Sequence, residues 1–573
     1  MSFVRRSRAS RRSTGEPSPA QALGRLREVR DAFASNLRSR DLRRAQLAFG
    51  AAWTSEWALT VGLAIVAFRD GGAAAVGLVA LLRLAPGAIF GPFLATIADR
   101  VRRERVISAI GLVRCAALGA MAVVLTMGGP VLAVYALAVV ATVAGTPVRA
   151  AHTALLPSLC TTSEQLTSAN AVRGMLDSLS TLLGPLIAAV LLSVGTPATV
   201  FAAAAAASLW SALLVLRLDY EAPPRDAGAS RTTVFGDARE GVRTLAAHRD
   251  LALLIGLGVS QTFTRGCVNV LTVVMAIELL DMGEAGVGVL CAAVGAGAVI
   301  GSVAAALLVG SHRLAVWFGV SIVLWGLPLV LIGAVPEQAA ALALLALIGV
   351  GNAVLDVSGF SVMARLAPDE VLARVFGIFE ALIALTIGLG SILTPVVIEA
   401  VGLRGALVAI GSLCPLLAAL AWMRLRAIDR SMRERDEEVE YLRAVPMLES
   451  LPVSVMDRLA RDLSRTHVAA GEPVFAQGDA GDRFYVITAG EADVFGDGER
   501  ICTLGSRESF GEIALLRDVP RTSEVRARTD LDLYAVDRDT LVPAVNAYRA
   551  AAAQADTTIA RMLERFRAPG LGA

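Results

Sequence analysis

The sequence contains no lysine, so arginine carries all of its positive side-chain charge. Charged residues make up 18% of the 573 residues, against about 25% in a typical soluble domain. Its four histidines are dispersed, and its six cysteines are scattered without a CxxC pair, so we predict neither a metal site nor a disulfide framework. The sequence also has no Walker loop and no nucleophile elbow, so we expect neither an enzyme nor a cofactor.

The first 45 residues are rich in arginine but lack the apolar stretch of a secretory signal. Two interpretations stay open for 1–45. Residues 19–45 form an arginine-rich helix at a membrane surface, or the whole segment is a disordered basic tail on the cytosolic side.

Long apolar runs dominate the rest of the chain, which is 55% hydrophobic with a mean hydropathy of +0.62. A membrane helix needs about 20 mostly apolar residues, and lipid favours helices because every backbone polar group must be satisfied internally. Twelve membrane helices are predicted, at about 46–68, 73–97, 105–127, 130–150, 168–194, 196–217, 251–280, 284–309, 314–334, 337–364, 372–399 and 403–424.

The arginine-rich loops all fall on one side of this predicted topology. Residues 99–105 and 424–436 are strongly basic, whereas turns on the opposite side, such as 127–129 and 335–338, contain no arginine. By the positive-inside rule the basic side is cytoplasmic, so we expect a multi-pass protein of the inner (plasma) membrane with both termini in the cytosol.

The longest loop, 218–250, divides the predicted helices into a first half at 46–217 and a second half at 251–424. Six helices on each side of a long loop are typical of the duplicated bundle of many secondary transporters. The sequence therefore predicts a mainly α membrane protein with a six-plus-six bundle.

Two motifs make this interpretation more specific. The stretch ATIADRVRRER resembles the signature loop after the second helix of the major facilitator superfamily, where Asp99, Arg100 and Arg103 match. The stretch LLGPLIAA resembles the glycine-proline motif of exporters in that family, with Gly184 and Pro185 matching. The resemblance implies a gating role for the loop and export of a small amphiphilic compound.

Charged side chains within membrane helices are costly, so each one is a candidate for function. Glu56, in the first helix, could carry a coupling proton or meet a cationic substrate; the structural alternative is an ion pair with Arg114. Arg265, Asp356 and Glu380 are further candidates for the transport pathway.

Three other membrane charges have simpler explanations. Arg173 and Asp177 lie one helical turn apart, which favours a pair between them. Arg83 lies near a cytoplasmic helix end, where an arginine commonly extends its charged head to the interface.

A helical connector is predicted at 425–445, because no glycine or proline interrupts the chain between Pro415 and Pro446. A stiff helix would transmit movement from the cytosol to the membrane helices. The alternative is a spacer without a signalling role.

The composition changes at 446–568, where short β-rich runs are separated by glycine turns. RFYVITAGEADVF predicts two strands around Gly490. Short strands at this spacing, with a helix before and a helix after them, favour a small α+β roll.

The stretch FGEIALLRDVPRTSEVRA, at 510–527, carries the chemistry of a phosphate site. Gly511 allows close backbone approach, a helix starting near Glu512 would direct N–H groups at an anion, and Arg521 supplies a planar charged fork. The stretch is very similar to the phosphate-binding cassette of cyclic nucleotide-binding domains. That resemblance implies that Glu512 accepts the ribose hydroxyl. The predicted nucleotide-binding residues are Gly511, Glu512, Ile513, Ala514, Arg521, Thr522 and Ser523.

Glu524 occupies a position where that family usually has a small or hydroxyl residue beside the ligand. Its carboxylate would repel the ligand's anion unless it is turned away. Because no threonine is present there, we favour cyclic AMP over cyclic GMP as the regulatory ligand.

We therefore expect a secondary transporter that is regulated by a cyclic nucleotide. Its partners are the lipid bilayer, a small-molecule substrate and the nucleotide, and no nucleic acid is expected because no helix-turn-helix can be placed. A nucleotide-gated channel would show an arginine ladder and a carbonyl filter, and neither is found. The remaining alternative is a non-transporting membrane sensor that recruits a cytosolic partner.

Overall fold

The structure is a computed structural model of the whole chain, in which residues 38–560 are described with short gaps. The gaps are 101, 161–162, 217, 219–247, 307, 309–310, 312, 367–368, 549–550 and 558. The side chains of 87–100, 163–164, 369–378, 381 and 453–454 are also outside the description. The basic segment before residue 38, most of the central loop, and the Asp99 and Arg100 side chains are therefore outside the described residues.

The chain divides into two compact units, Met1–Leu425 and Arg426–Ala573. The first unit is helical throughout the part that is described. Its helices are α1 Arg40–Arg100, α2 Arg103–Thr126, α3 Val131–Gly145, α4 Val148–Leu159, α5 Ser163–Val194, α6 Pro197–Val215, α7 Arg249–Val274, α8 Gly283–Ala306, α9 Leu314–Ala334, α10 Gln338–Leu366 and α11 Asp369–Arg443.

Among the described residues, ten helical segments are long and apolar enough to cross a membrane. Two of the helices that contain them, α1 and α11, are interrupted by glycines with non-helical backbone angles. Gly72 has φ +61° and Gly402 has φ +73°, a left-handed conformation that suits glycine. Both interruptions lie where the sequence predicts a turn between two spans. The count of twelve spans stays a prediction.

The helix predicted at 130–150 differs from the observed one. The observed helix, α3, ends at Gly145, and a separate helix, α4, begins at Val148 directly after Pro147. Proline has no backbone N–H to continue the helical ladder, so the break occurs there. The helix predicted at 251–280 also changes character near its end, where α7 passes into a π-helix at Met275–Leu279.

Small residues allow α5 to approach its neighbours closely. A Cβ atom added at Gly184 would lie 2.5 Å from the Cβ of Trp57 on α1. On the other side of α5, a Cβ at Gly295 would lie 2.5 Å from the backbone of Leu182. Close backbone contact through glycine is typical of membrane helices, because lipid supplies little hydrophobic drive between them. The Gly184 motif position therefore has a packing role.

The second unit begins at Arg426 with the last part of α11, and an α+β roll follows that helix. Its strands form two antiparallel sheets, in the orders β1-β8-β3-β6 and β2-β7-β4-β5. The elements are α12 Val453–Arg461, β1 Ser464–Val468, β2 Pro473–Phe475, β3 Arg483–Ala489, β4 Ala492–Gly496, β5 Glu499–Leu504, β6 Ser509–Phe510, α13 Glu512–Arg517, β7 Glu524–Ala527, β8 Leu531–Asp537 and α14 Arg538–Asn546.

The strands predicted around Gly490 are β3 and β4. Gly490 has φ +91°, and a Cβ there would meet the carbonyl oxygen of Asp530 at 2.3 Å, so only glycine fits this turn. The chain passes here from one sheet to the other, because β3 pairs with β8 and β6, whereas β4 pairs with β5 and β7.

Two hydrophobic cores stabilise the roll. One lies among the strands and includes Ile487, Val494 and Leu533. The other joins the helices to β3 and β8, and it contains Leu442 and Val445 from the predicted connector. The end of the connector is therefore packed into the C-terminal unit.

Candidate functional sites

The cassette forms a pocket between the strands and α13. All seven residues predicted to bind a nucleotide line it, together with an apolar wall that includes Phe475, Val494 and Leu504. The pocket holds about 660 Å³ of empty space, part of which is open to solvent.

Arg521 lies under this pocket with only 2% of its side chain exposed. Its Nη1 donates to the carbonyl oxygen of Gly511 at 3.0 Å, and its Nη2 donates to the carbonyl oxygen of Arg483 at 2.8 Å and to Asp482 Oδ1 at 3.2 Å. Its guanidinium lies 4.1 Å from the ring centroid of Phe475, in cation–π contact. The arginine is thus held in place by the chain's own acceptors and one ring.

One hydrogen-bond donor of Arg521 is not used by these contacts. Its Nε is buried and has no hydrogen-bond partner among the described residues. Burial lowers the pKa of Arg521 from its usual value, although nearby acidic groups oppose this shift. A buried charged donor without a partner is costly, so the site favours an anion that could accept from it.

Gly511 is required by the same geometry. It has φ +93°, and a Cβ there would lie 2.7 Å from Nη1 of Arg521. A side chain at this position would therefore displace the guanidinium, in addition to straining the backbone.

Glu512 begins α13 and is only 2% exposed. Burial raises its pKa to about 7, and the positive charge of Arg521 only partly opposes this shift. Near neutral pH the carboxyl group is therefore present in both forms. It is able to accept a hydrogen bond from a ligand hydroxyl in its ionised form.

Glu524 is turned away from the pocket. Its neighbours Ser523 and Val525 line the pocket, whereas the Glu524 carboxylate accepts from Arg526 Nε at 3.1 Å and Nη2 at 2.8 Å. The reason is the strand period of two, since β7 presents alternate residues to opposite faces. Of the two alternatives for Glu524, the structure supports the one that avoids repulsion.

Two residues that hold Arg521 in place were missed in the sequence. Phe475 packs against Arg521, and Asp482 forms an ion pair with it. Asp482 lies just before β3, the first of the two strands predicted around Gly490. Phe475 lies on β2, a strand of only three residues that is too short for a pattern.

A second candidate site surrounds Glu56 in α1. Its Oε1 accepts from Arg83 Nη2 at 2.9 Å, and its Oε2 accepts from Arg114 Nη1 at 2.6 Å. Arg114 Nη1 also lies 3.3 Å from the carbonyl oxygen of Ala141. The ion pair with Arg114 was the structural alternative for Glu56. The interpretation of Arg83 as extending to the membrane interface was wrong, because its side chain is only 13% exposed and pairs with Glu56.

The remaining candidates for the transport pathway are Arg265, Asp356 and Glu380. Arg265 is within electrostatic range of Asp356 and Glu380. Asp356 is exposed and accepts from the Asn352 side chain at 3.3 Å. Arg149 and Asp177 of the first half also interact electrostatically with Arg265 and Asp356, so these charges form one group that spans both halves of the bundle.

The pair predicted between Arg173 and Asp177 is not the closest contact of either residue. Asp177 Oδ2 accepts from Arg149 Nη2 at 2.7 Å. The Arg173 guanidinium lies 5.9 Å from the ring centroid of Phe49. A contact between neighbouring helices has replaced the predicted contact within one helix.

Arg103 connects the start of α2 to α4. Its Nη1 donates to the carbonyl oxygen of Ala154 at 2.5 Å and lies 3.3 Å from Ser158 Oγ. The one described side chain among the three matched positions of the signature loop therefore holds two helices together. Within the described residues, no group of three or more histidine, cysteine or acidic side chains could hold a metal ion.

Comparisons with known proteins give one match for the nucleotide-binding cassette and its neighbouring strands, and another for the membrane helices. The family model for the cyclic nucleotide-binding domain matches residues 465–548. The cAMP-dependent protein kinase regulatory subunit of Yarrowia lipolytica is 36% identical over 114 residues, which are 20% of this chain and 30% of that protein. That of Emericella nidulans is 35% identical over 114 residues, 20% of this chain and 28% of that protein. The chain thus spans less than a third of the length of these curated relatives.

Solved structures match a similar share of the chain. The regulatory domain of Toxoplasma gondii protein kinase A with cAMP is 21% identical with a TM-score of 0.22, covering 24% of this chain and 54% of that one. The regulatory subunit of a cAMP-independent protein kinase A from Trypanosoma cruzi, bound to guanosine, is 25% identical with a TM-score of 0.20. The match covers 21% of this chain and 44% of that one.

A second family model matches the membrane helices of the first unit, which is called the membrane unit below. The family model described as Major Facilitator Superfamily matches residues 47–277 and 254–468, which together are well over half of the chain. Neither of the two matched families is an enzyme family. This multi-pass membrane protein belongs to the Major Facilitator Superfamily, and it carries a cyclic nucleotide-binding domain at its C-terminal end.

Proposed function

We propose that the chain is a secondary active transporter that exports a small amphiphilic compound in exchange for protons, and that cytosolic cyclic AMP regulates it. Both termini and the nucleotide-binding domain would then lie on the cytoplasmic side of the plasma membrane. The curated relatives named above are cAMP-dependent regulatory subunits, which supports cyclic AMP as the ligand.

The observation that carries the regulatory part is the pocket around Arg521. Seven residues that were predicted from the cassette line a single pocket, and the buried guanidinium beneath it has an unpartnered Nε among the described residues. An anionic phosphodiester would satisfy this donor, and the Glu512 carboxylate could accept the ribose hydroxyl.

The path from the pocket to the connector is a shared core. Ala514 and Leu515 of α13 lie in the same hydrophobic cluster as Leu442 and Val445 at the end of the connector. Glu438 also accepts from Arg465 of β1 at 3.1 Å. Because cores are tightly packed, a ligand that shifts α13 would also shift the connector helix.

Regulation further requires that the nucleotide distinguishes two transport states. A ligand shifts an equilibrium only by its difference in affinity for the two states, and the coupling is reciprocal. We therefore expect a transport substrate to alter nucleotide affinity as well.

The test uses the full chain in two assays. Cyclic AMP binding is measured on purified protein in nanodiscs, with cyclic GMP as the comparison. Uptake of a panel of amphiphilic compounds is then measured in inverted membrane vesicles with and without saturating cyclic AMP. Equal uptake in both conditions would reject regulation, and no uptake of any compound by vesicles with intact protein would favour the non-transporting sensor.

Glu56→Gln tests the coupling role of Glu56. The substitution keeps the size of the side chain but removes the titrating group. We expect it to abolish uptake driven by a proton gradient while exchange of substrate across the membrane persists. Unchanged gradient-driven uptake would assign Glu56 a structural role.

A further inference from the structure

The geometry around Arg114 points to an anion-binding pocket in the membrane unit. We propose that it takes the acidic group of an organic anion, such as a carboxylate or sulfonate on an apolar body, as the transported compound. This inference rests on the proposed transporter function and deepens it by naming the class of substrate.

The pocket is built from four helices, α1 to α4, and the turn between α3 and α4. It holds about 510 Å³ of empty space, part of which is open to solvent. Its apolar wall includes Trp53, and its polar groups are those of Glu56, Arg114 and two threonines. The lining residues are Ala52, Trp53 and Glu56 of α1, Arg114 of α2, Thr142 and Gly145 of α3, Thr146, and Val148 of α4.

The balance of charge at the pocket is positive. Each oxygen of Glu56 accepts from an arginine, Oε1 from Arg83 and Oε2 from Arg114, so one carboxylate faces two guanidinium groups. The nearby Arg149 guanidinium, 4.9 Å from the ring centroid of Trp53, is itself paired with Asp177. One net positive charge in surroundings of low dielectric constant disfavours a cationic ligand and attracts an anion.

Hydrogen-bond donors without a partner also indicate a site for an anion. Arg114 is 4% exposed, and its Nε and Nη2 have no hydrogen-bond partner among the described residues. The hydroxyl of Thr142 is also buried and without a partner within that part of the chain. Nε and one Nη form a single edge of the guanidinium, which is the geometry that two oxygens of one acidic group accept together.

Space for the guanidinium is provided by a glycine. A Cβ at Gly145 would lie within van der Waals overlap of Arg114 Nη1, at 2.4 Å. The free edge of Arg114 is buried in the conformation described, so a ligand meets it as the surrounding helices move apart, which alternating access requires.

The test measures the local preference for charge and needs no known substrate. Full-length Ala52→Cys protein in nanodiscs reacts with an anionic methanethiosulfonate (the ethylsulfonate) or a cationic one (the ethyltrimethylammonium). Peptide mass spectrometry follows modification at position 52, so the native cysteines remain. The ratio of the two rates is divided by the ratio for free 2-mercaptoethanol.

We expect this normalised ratio to favour the anionic reagent by about tenfold, because one net charge acts in a partly desolvated pocket. Arg114→Gln should bring the ratio close to one, and Glu56→Gln should raise it further. Arg69→Gln is the matched control, since Arg69 also pairs with a glutamate, Glu284, but is 54% exposed; it should leave the ratio unchanged.

A ratio of one or less in the parent protein overturns the proposal. Failure of both reagents to react also overturns it, because a substrate site must admit molecules of that size. If Ala52→Cys does not fold, Thr146→Cys reports on the same pocket. An anion preference without any transport would support the anion-binding pocket and reject the proposed transporter function. Transport without this preference would support the transporter function and reject the anion-binding pocket.

Discussion

Two arginines, one in each unit, are held in a similar way. Arg521 in the roll donates to two backbone carbonyls and to Asp482, and Arg114 in the membrane unit donates to Glu56 and lies near one backbone carbonyl. In both cases Nε is buried without a partner among the described residues. The difference lies in the acidic partner, because the side chain of Asp482 is 70% exposed and that of Glu56 is 19% exposed.

This difference in exposure determines what can separate each arginine from its acidic partner. An ion pair with an exposed partner contributes only about 0–1 kcal/mol, so a phosphate can displace Asp482 from Arg521 at little cost. Removing one member of a buried pair costs about 3–5 kcal/mol, because an uncompensated charge remains. The nucleotide site can therefore respond to ligand alone, whereas the pair in the membrane unit needs a compensating proton or anion.

The largest expected effect is that of Arg521→Ala on cyclic AMP binding. Loss of two charge-assisted hydrogen bonds should remove about 3 kcal/mol, a weakening of about 100-fold or more. Isothermal titration calorimetry on the full chain measures it. Arg526→Ala is the matched control, because Arg526 lies on the same segment but pairs with Glu524 and does not line the pocket. Equal losses in both variants would contradict the assignment of Arg521.

The next effect concerns Glu512 and depends on pH. Its pKa of about 7 is that of the free site, and a ligand hydroxyl that donates to the carboxylate favours the ionised form. Cyclic AMP affinity should therefore fall as the pH is lowered from 8 to 6, by at most about tenfold per pH unit. Glu512→Gln should bind about tenfold more weakly at pH 8 and lose this dependence. A parallel pH profile in the variant would reject the role of Glu512.

The same substitution has the opposite effect on stability. The folded pKa of Glu512 lies above the ordinary value of 4.5, so the folded state binds more protons between these values. The contribution of Glu512 to stability is therefore greatest below about pH 4.5 and is lost as the pH rises through about 7, which lowers the free energy of unfolding by about 3 kcal/mol. Thermal unfolding of Glu512→Gln at pH 8 should occur at a higher temperature than that of the parent protein.

A smaller effect is expected for Asp482→Asn. The substitution removes the carboxylate that competes with a ligand phosphate for Arg521, so cyclic AMP affinity should rise by about threefold, as for an exposed ion pair. Asp537→Asn is the control, because Asp537 pairs with Arg483 rather than Arg521. A loss of affinity on Asp482→Asn would show that Asp482 positions the arginine instead of competing for it.

The two units differ in how much the sequence predicted. In the roll, a contiguous cassette specified seven of the residues that line the pocket, because Gly511, Glu512 and Arg521 act through local turns and a fixed spacing. In the membrane unit the sequence offered Arg114 only as one possible partner of Glu56, and it missed Arg83. Contacts between helices depend on the rotation of each helix, and apolar runs without a polar face leave that rotation undetermined.

The smallest expected effect is that of Glu524→Gln. A carboxylate that faced the nucleotide would repel its phosphate, and removing it would strengthen binding by tenfold or more. In the structure this carboxylate accepts two hydrogen bonds from Arg526 on the face of β7 away from the pocket. Cyclic AMP affinity should therefore change by less than about threefold, as expected for an exposed ion pair. Calorimetry on Ser523→Ala, which alters a pocket-lining residue directly before β7, should show the larger loss.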